Sequence, residues 1–347
     1  MRIWIIVLFA LIRRDEALTK RASLTYKHGE VQLRSDKGKD VVLEPGRGGR
    51  VRINGLAQIN GALLSLKLNT AKNQRCTKAN KGVLVYRNGA MEICDGSRFV
   101  SMNAKLGSLH NPASSCKAIL EDDWSAPSGA YYIKTEQTTT KTYCYMEDIP
   151  GCGGGGWTTV MKTNGHMSTF GYDSSYWTNK KAYHVNGGQS GADHQETKLP
   201  TYWATPFTSL CLGMMTVFQR RPNWIRVNYK ARSLYSVIAD NRYRSFSIGR
   251  NKWKSLIPGS SLQKYCNREG FNSRPVTATG NHRVRIGIVS NQENDCSSPD
   301  SRIGFGGAGW ACGKKSIDNL IFTGNTARCS ADNGNKAIKT FGYILVQ

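Results

Sequence analysis

The sequence lacks several features that would assign it to common classes of protein. It has no Cys-x-x-Cys pair and no alternation of Cys and His of the kind that zinc sites use. No Asn-x-Ser/Thr sequon occurs, so N-glycosylation is not expected. Beyond the first residues, no apolar run approaches the length that spans a bilayer. These absences argue against a zinc protein, an N-glycoprotein and a membrane-spanning protein.

Acidic residues are also scarce. The chain has 24 Asp and Glu against 48 Lys and Arg, which gives a formal net charge of +24. Residues 1–112 hold 20 basic and 8 acidic residues, and residues 113–347 hold 28 and 16, so each part carries +12. The shorter N-terminal part is therefore the more basic per residue. A charge of this size attracts polyanions such as nucleic acid, sulfated glycans or acidic proteins.

Signals of catalysis are missing as well. The six histidines (28, 110, 166, 184, 194 and 282) show neither metal-ligand spacing nor the company of a nucleophile motif. The glycine run at 153–156 resembles a phosphate-binding loop in composition but lacks the Lys-Ser/Thr that follows such loops. We predict a turn between strands there, and no enzyme.

Cysteine, in contrast, is plentiful and even in number. The ten cysteines predict five disulfides formed in an oxidising compartment. Arg2 precedes an apolar run at 3–12 that suits the core of a signal peptide, so residues 1–21 are interpreted as a signal or processing segment. The chain is predicted to be secreted and extracellular.

The region before residue 113 divides into two parts. Residues 22–75 alternate basic and apolar positions with glycines, which indicates a basic, β-rich or partly ordered arm; a solvated basic linker is the alternative. Residues 76–112 contain an Asn88-Gly89 turn between apolar strands, which predicts a hairpin closed by a disulfide between Cys76 and Cys94 and followed by a linker.

From residue 113 to 347 the chain reads as one domain of short strands and long irregular connections. Helices are predicted at 115–121 and 208–212, and the fold class is therefore α+β with much irregular coil. Strands are predicted at 131–133, 143–145, 157–161, 224–229, 284–289 and 342–346.

A series of motifs occurs in this region in a recognisable order. The earlier ones are SCK at 115–117, YC at 143–144, GGGWT at 154–158, FGY at 170–172 and YW at 176–177. The later ones are LCLGM at 210–214, RIGI at 285–288, NQENDC at 291–296, RIGFGG at 302–307 and GYILV at 342–346. The early set resembles fibrinogen C-terminal-like domains and the late set resembles their intelectin branch. The phrases QETKLP at 195–200 and DNGN at 332–335 resemble secreted cnidarian members, including proteins of the coral skeletal organic matrix.

The resemblance implies a disulfide-stapled fibrinogen C-terminal-like/intelectin-like domain over 113–347. It implies bridges between Cys116 and Cys144 and between Cys266 and Cys296. A bridge between Cys312 and Cys329 would then close a terminal loop, and Cys152 and Cys211 remain as the last pair. Intelectins oligomerise through cysteines, so an intermolecular bond and a homo-oligomer stay open as alternatives.

The resemblance also implies a calcium-dependent site for carbohydrate. Asn291, Gln292 and Glu293 match the first group of calcium ligands, and Asp300 falls where the next acidic ligand belongs. Oxygen ligands of this kind suit a hard cation that takes six to eight donors. A hydrogen-bonded loop carboxylate is the structural alternative for Glu293 and Asp300.

The chain departs from the family pattern after this segment. No His lies near 297–311, and no acidic residue follows the glycines as far as residue 315. Lys314 and Lys315 stand near the position of an expected calcium ligand and favour an anionic ligand instead. Trp310 is a candidate to stack on a sugar face, or else a partly buried tryptophan.

We therefore predict a non-enzymatic protein of an extracellular or skeletal organic matrix associated with biomineral, which recognises glycans or acidic matrix macromolecules with calcium as the implied cofactor. A calcium-dependent lectin of the innate-immune type is the first alternative. A nucleic-acid binder driven by charge is the second, and the cysteine framework disfavours it because it indicates the wrong compartment.

Overall fold

In a computed structural model of the protein, the described residues are 23–27, 30–34, 75–87, 90–102, 104–136, 138–275, 282–310, 312 and 320–347. The chain divides into two units, Met1–Lys67 and Leu68–Gln347. The described backbone of the first unit is an antiparallel hairpin of strands β1 (Ser23–Lys27) and β2 (Glu30–Arg34). The predicted processing segment at 1–21 and most of the predicted arm at 22–75 lie outside the described residues and stay predictions.

The second unit contains strands and short helices. Its strands are β3 (Leu84–Arg87), β4 (Ala90–Cys94), β5 (Phe99–Ser101), β6 (Gly129–Lys134), β7 (Thr139–Tyr145), β8 (Trp157–Asn164), β9 (Thr197–Lys198), β10 (Phe207–Met215), β11 (Asn223–Ala231), β12 (Arg244–Ser245), β13 (Tyr265–Ser273), β14 (Arg283–Asn291), β15 (Ser301–Ala308), β16 (Thr323–Ala327), β17 (Lys336–Lys339) and β18 (Phe341–Val346). Its α-helices are α1 (Cys116–Asp122), α2 (Thr201–Ala204), α3 (Leu234–Ile238) and α4 (Arg250–Ser255). Single 3₁₀ turns occur at Lys78–Asn80, Ser168–Phe170, Ser175–Trp177 and Val185–Gln189.

The strands of this unit form three antiparallel sheets. The first has three strands in the order β3-β4-β5. The second has seven, in the order β11-β10-β18-β8-β7-β6 with β9 beside β8, and the third has six, in the order β12-β13-β14-β15-β16-β17. Strand β18, which ends the described chain, lies between β10 and β8, so residues far apart in sequence share the middle of the seven-stranded sheet.

The predicted fold class, an α+β fibrinogen C-terminal-like/intelectin-like domain, is wrong. Among the described residues, strands make up 39% and helices, with the 3₁₀ turns included, 14%, and the sheets are antiparallel. The α-helices have four to seven residues, which is too short for an amphipathic helix to form a packing layer of its own. The fold is therefore mainly β, with helices confined to the connections.

One helix prediction failed for a clear physical reason. The segment 208–212 lies inside β10, where nearly every residue is buried on both faces of the sheet. A strand covered on both sides reads as a continuous apolar run, and such a run cannot be told from a buried helix by periodicity. The other predicted helix is confirmed as α1, where the Ser115 hydroxyl accepts a hydrogen bond from the Ala118 amide and caps the first turn.

The main hydrophobic core joins the two large sheets. Val160, Leu212 and Ile344 contribute from the seven-stranded sheet, and Ile286 and Phe305 contribute from the six-stranded sheet. All five side chains are at most 1% exposed. Because both sheets bury one face in this cluster, the loops at their edges are held in fixed positions, and the candidate sites lie on those loops.

Five disulfides reinforce the second unit. They are the pairs named from the sequence: Cys76–Cys94, Cys116–Cys144, Cys152–Cys211, Cys266–Cys296 and Cys312–Cys329. This content of disulfides is typical of proteins from an oxidising compartment. No helix in the described part of the chain is long and apolar enough to cross a bilayer.

Candidate functional site

The predicted calcium ligands lie in and beside the loop between β14 and β15. Strand β14 ends at Asn291 and β15 begins at Ser301, with Ser290 paired to Ser301 at the base of the loop. The disulfide between Cys266 and Cys296 ties the loop to the start of β13. The loop is thus anchored at both ends by the sheet and in its middle by a covalent bond.

Three consecutive predicted ligands point into different environments. Asn291 is fully buried; its Oδ1 accepts from the amide of Gln292 at 3.0 Å, and its Nδ2 donates to the carbonyl of Asp295 at 3.2 Å. Gln292 and Glu293 are exposed, and the Gln292 Nε2 donates to the Glu293 Oε1 at 2.9 Å. Asn291 therefore has a structural role, whereas the next two residues present side-chain oxygens at the surface.

Asp300 completes the predicted set and is half-buried. Its backbone amide donates to the carbonyl of Ser290 at 3.1 Å. Burial raises the pKa of the Asp300 carboxyl, and the nearby Glu293 charge adds to this effect, while hydrogen bonds from the side chains of Gln263 and Gln292 act against it. The negative charge of Asp300 is thus incompletely compensated, which is the condition in which a carboxylate gains from a bound cation.

Gln263 organises this loop and was not predicted from the sequence. Gln263 is fully buried; its Oε1 accepts from the Asp300 amide at 3.1 Å, and its Nε2 donates to the Cys329 carbonyl at 2.7 Å and also to the Gln292 Oε1. It joins the predicted site to the segment around Cys329. No signal in the sequence places a glutamine 28 residues before Asn291 at this loop, because only the fold brings the two segments together.

The geometry offers a partial set of ligands for a hard cation. The Glu293 and Asp300 carboxylates are the donor type that Ca²⁺ prefers. The Asp300 carboxylate also lies within 4.8 Å of the sulfurs of Cys312 and Cys329, but those sulfurs form a disulfide and carry no thiolate charge. Glu293 and Asp300 fit such an ion, whereas Asn291 and Gln292 do not, because their side-chain oxygens already accept hydrogen bonds.

The other predicted ligand-binding residues follow β15. Trp310 comes after Gly309 and is half-buried. The Gly309 carbonyl accepts from the guanidinium of Arg302 at 3.0 Å, which fixes the backbone in front of Trp310. Lys314 and Lys315 lie outside the described residues, so the anionic ligand predicted from them stays a prediction.

A second candidate site is an aromatic cleft with a cavity volume of about 500 Å³. Trp224, at the start of β11, is half-buried and lines this cleft together with Tyr145. The two rings meet edge to face, with centroids 5.7 Å apart. Asp148, Arg221 and Asn223 supply polar groups to the same cleft. An aromatic wall with hydrogen-bonding groups around it can receive the face and the hydroxyls of a sugar.

Two glycines allow the Trp224 indole to lie where it does. A Cβ added to Gly213 would come within 2.4 Å of the indole ring, and one added to Gly151 would come within 2.2 Å of the Trp224 carbonyl oxygen. Ile225 and Val227 on the same strand are in the core. Side chains alternate between the two faces of a strand, so Trp224 lies on the face opposite to Ile225 and Val227. This alternation is the signal in the sequence that could have predicted an aromatic side chain at the cleft.

Several acidic side chains outside these sites form ion pairs with Lys or Arg. Hydrogen bonds from Arg244 lower the pKa of Asp240 to about 2. The close ion pairs include Lys162 Nζ to Asp193 Oδ1 at 2.5 Å, Arg244 Nη1 to Asp240 Oδ1 at 2.7 Å and Arg250 Nη2 to Asp332 Oδ2 at 2.6 Å.

No protein-family model matches the chain, and no curated protein matches it. The resemblance to the fibrinogen-like and intelectin motifs therefore stays a prediction, and the functional argument rests on the geometry of the sites.

Proposed function

We propose that this chain is a secreted, non-enzymatic protein of an extracellular or skeletal matrix that recognises glycans, with acidic glycans and other acidic matrix macromolecules as its preferred partners. The observation that carries the proposal is the aromatic cleft around Trp224. The indole packs against Gly213 and the Tyr145 ring, so contacts within the fold set its position before a ligand arrives. Preorganised aromatic contact area of this kind binds with little cost in side-chain entropy.

Charge supports the preference for acidic partners. The formal net charge of +24 produces a positive field around the chain, and such a field raises the association rate of anionic ligands. Arg221 adds a cation at the cleft itself. The ligand that fits both features is a sugar that carries, or stands beside, a negatively charged group.

The placement of the histidines supports a role without catalysis. His282 is fully buried, and burial, together with the charge of Arg302, keeps the pKa of its imidazole well below the usual value. His194 stacks on Phe341 with ring centroids 3.9 Å apart. His184 bonds through Nδ1 to the Glu196 carbonyl at 3.0 Å. Each of these rings is engaged in a structural contact.

A glycan array tests the proposal. We expect the wild-type protein to bind acidic glycans, Trp224→Ala to lose at least about tenfold in affinity, and Trp224→Phe, which keeps a ring, to retain part of it. Trp124→Ala is the matched control, because Trp124 is 88% exposed and does not line the cleft. The proposal is wrong if no glycan binds, or if the Trp224 and Trp124 variants behave alike.

The array also separates the alternatives when it is read at two salt concentrations and with a chelator. Electrostatic attraction to a polyanion weakens steeply with salt, whereas contact of a sugar with an aromatic ring does not. A nucleic-acid binder would prefer a DNA duplex of matched charge to every glycan. That preference, abolished by salt and unaffected by Trp224→Ala, would favour the nucleic-acid alternative.

A calcium-dependent lectin is the second candidate function, and the loop after β14 favours it. Asp300 and Glu293 are close enough for their charges to interact, and Asp300 is half-buried. We expect calorimetry with Ca²⁺ to show a saturable site that Glu293→Gln combined with Asp300→Asn abolishes. Asp295→Asn is the control, since the Asp295 carboxylate accepts from the Ser297 amide at 2.8 Å and is committed to that turn. Absence of heat in the wild type would exclude this candidate.

A further inference from the structure

Three arginines converge on one small cavity that belongs to neither site described above. The cavity has a volume of about 360 Å³ and is lined by Arg274, Arg283 and Arg285, together with Tyr172 and Asp173. Arg283 and Arg285 are two residues apart on β14, so their side chains leave the same face of the sheet. Strand β13 pairs Ser273 with Val284, and this register places Arg274 beside Arg283. We call this group the arginine pocket.

Arg285 is the buried member of the pocket, with 4% of its surface exposed. Its Nε donates to the Tyr172 carbonyl at 2.7 Å, and its Nη1 donates to the side-chain oxygens of Asn241 at 2.6 Å and Asn272 at 2.8 Å. All three acceptors are neutral. The Nη2 group has no hydrogen-bond partner among the described residues, and it is not one of the fully buried polar atoms that lack a partner, so it is open to the cavity.

The position of this guanidinium is fixed by packing. Its Cζ lies 4.3 Å from the centroid of the Tyr172 ring, and the Cζ of Arg283 lies 4.8 Å from the same centroid. A Cβ added to Gly306 would come within 2.7 Å of the Arg285 Cγ, so the glycine on the neighbouring strand makes room for the arginine stem. Two guanidinium groups are thus held against one ring before any ligand is present.

The charges of the pocket do not balance. Asp173 is the carboxylate that lines it, and its contact with Arg283, at 2.7 Å, is made by a side chain that is 71% exposed. An exposed pair of this kind compensates a buried charge weakly. Burial lowers the pKa of Arg285, because removal from water disfavours its charged form. Three guanidinium groups against one carboxylate leave a local excess of two positive charges.

We infer that the arginine pocket is a binding site for an oxyanion, namely the sulfate or carboxylate group of an acidic glycan. The inference rests on the proposed function and deepens it, because it names the chemical group that is recognised. Planar guanidinium groups match the oxygens of such anions in pairs, and a ligand here would reach the Nη2 of Arg285 together with Arg274 and Arg283.

Inorganic sulfate is the direct probe of the pocket. We expect calorimetry at constant ionic strength, with chloride as the balancing anion, to show saturable binding to the wild-type chain. Arg274→Gln combined with Arg283→Gln leaves the buried Arg285 in place and should weaken sulfate at least about tenfold. Arg220→Gln, which removes an exposed charge in the connection between β10 and β11, should leave the affinity unchanged. Arg274→Lys with Arg283→Lys keeps the charge, loses the paired geometry and should give an intermediate affinity.

Two outcomes would overturn the inference: no saturable sulfate binding to the wild type, or equal affinity in the wild type and in the double glutamine variant.

A polymer experiment then separates this inference from the proposed function. A sulfated glycosaminoglycan, the same polymer after desulfation, and a neutral polymer are compared on the wild type and on the double glutamine variant. A variant that keeps the wild-type preference for the sulfated over the desulfated and neutral polymers contradicts the pocket and leaves the function standing. Sulfate binding with no polymer binding contradicts the function and leaves the pocket standing. If the wild type and the variant bind the desulfated polymer equally, the pocket recognises sulfate esters. If they still differ in binding to the desulfated polymer, the pocket recognises carboxylates.

Discussion

Lys198 provides a direct test of how burial in this fold changes the pKa of a charged side chain. Its side chain is fully buried, and its Nζ donates to the backbone oxygen of Asn179 at 2.7 Å and to the Asn179 Oδ1 at 3.0 Å. The rings of Tyr202, Trp203 and Tyr176 lie 4.8, 5.4 and 5.8 Å from the same nitrogen. Burial lowers the pKa of Lys198 from 10.5 to about 7.

The direction of the pH dependence follows from this shift. Between about pH 7 and pH 10.5 the unfolded chain carries a proton on Lys198 that the folded chain has lost, so the free energy of unfolding rises with pH. Below pH 7 both states are protonated, and the penalty of the buried charge is present in full. At about 1.4 kcal/mol per pKa unit, the whole shift corresponds to about 5 kcal/mol, of which about 2 kcal/mol is recovered between pH 7 and pH 9.

Urea denaturation of the disulfide-intact protein at pH 7, 8 and 9 measures this slope. Lys198→Met removes the titrating group while keeping a long apolar side chain, and it should flatten the rise by about 2 kcal/mol relative to the wild type. Lys252→Met, at an exposed lysine of α4, should leave the rise unchanged. If Lys198→Met does not fold, Lys198→Gln serves the same comparison. Parallel pH profiles for the wild type and the Lys198 variants would refute the reasoning.

Two further substitutions test local features, again by urea denaturation. Gly155→Ala should lower the free energy of unfolding by about 3 kcal/mol, because the added Cβ would lie 1.7 Å from a backbone carbonyl oxygen. Gly153→Ala should lower it by only about 1 kcal/mol, for its positive φ, because its Cβ would meet no heavy atom within 4 Å. Equal losses in the two variants would contradict the packing argument. Glu269→Ala should lower the free energy of unfolding by about 4 kcal/mol, because it leaves the Trp253 indole nitrogen and two backbone amides without an acceptor. The indole nitrogen lies 2.8 Å from the Glu269 carboxylate. Glu121→Ala, at an exposed position, is the control and should change the free energy of unfolding little.

Local structure was the most predictable part of the fold. Runs of β-branched and aromatic residues correctly predicted strands such as β8, β11 and β14, and the helix predicted at 115–121 is found as α1. Both kinds of prediction depend on neighbours in the sequence. The predicted fold class was wrong for two reasons. Strand β10 is covered on both faces, and the balance of helix and strand depends on packing between distant segments.

The candidate sites were predictable only where their residues are consecutive. Gln292, Glu293 and Asp300 lie on one loop, and the structure brings Gln292 and Glu293 close to Asp300. Gln263 joins that loop from another segment, and Trp224 obtains its cleft from the strand beside it and from the turn at Gly151. Such contacts are set by sheet register, which no short motif encodes.

The formal net charge is counted from the sequence, and the count does not show which charged side chains lie at the surface. Lys162, Lys198, Arg285 and Arg302 are each at most 4% exposed, so these four cations contribute to the formal charge but little to the surface. Lys162 is neutralised by Asp193, and Arg302 is bonded to the carbonyls of Gly309 and Ile321. Arg285 differs, because it opens onto a cavity with two further arginines. A diffuse charge attracts many polyanions, whereas a buried guanidinium in a small cavity selects an anion by its shape. If the arginine pocket is the selective element, the double glutamine variant should keep most of its salt-dependent attraction to polyanions and lose its preference among them.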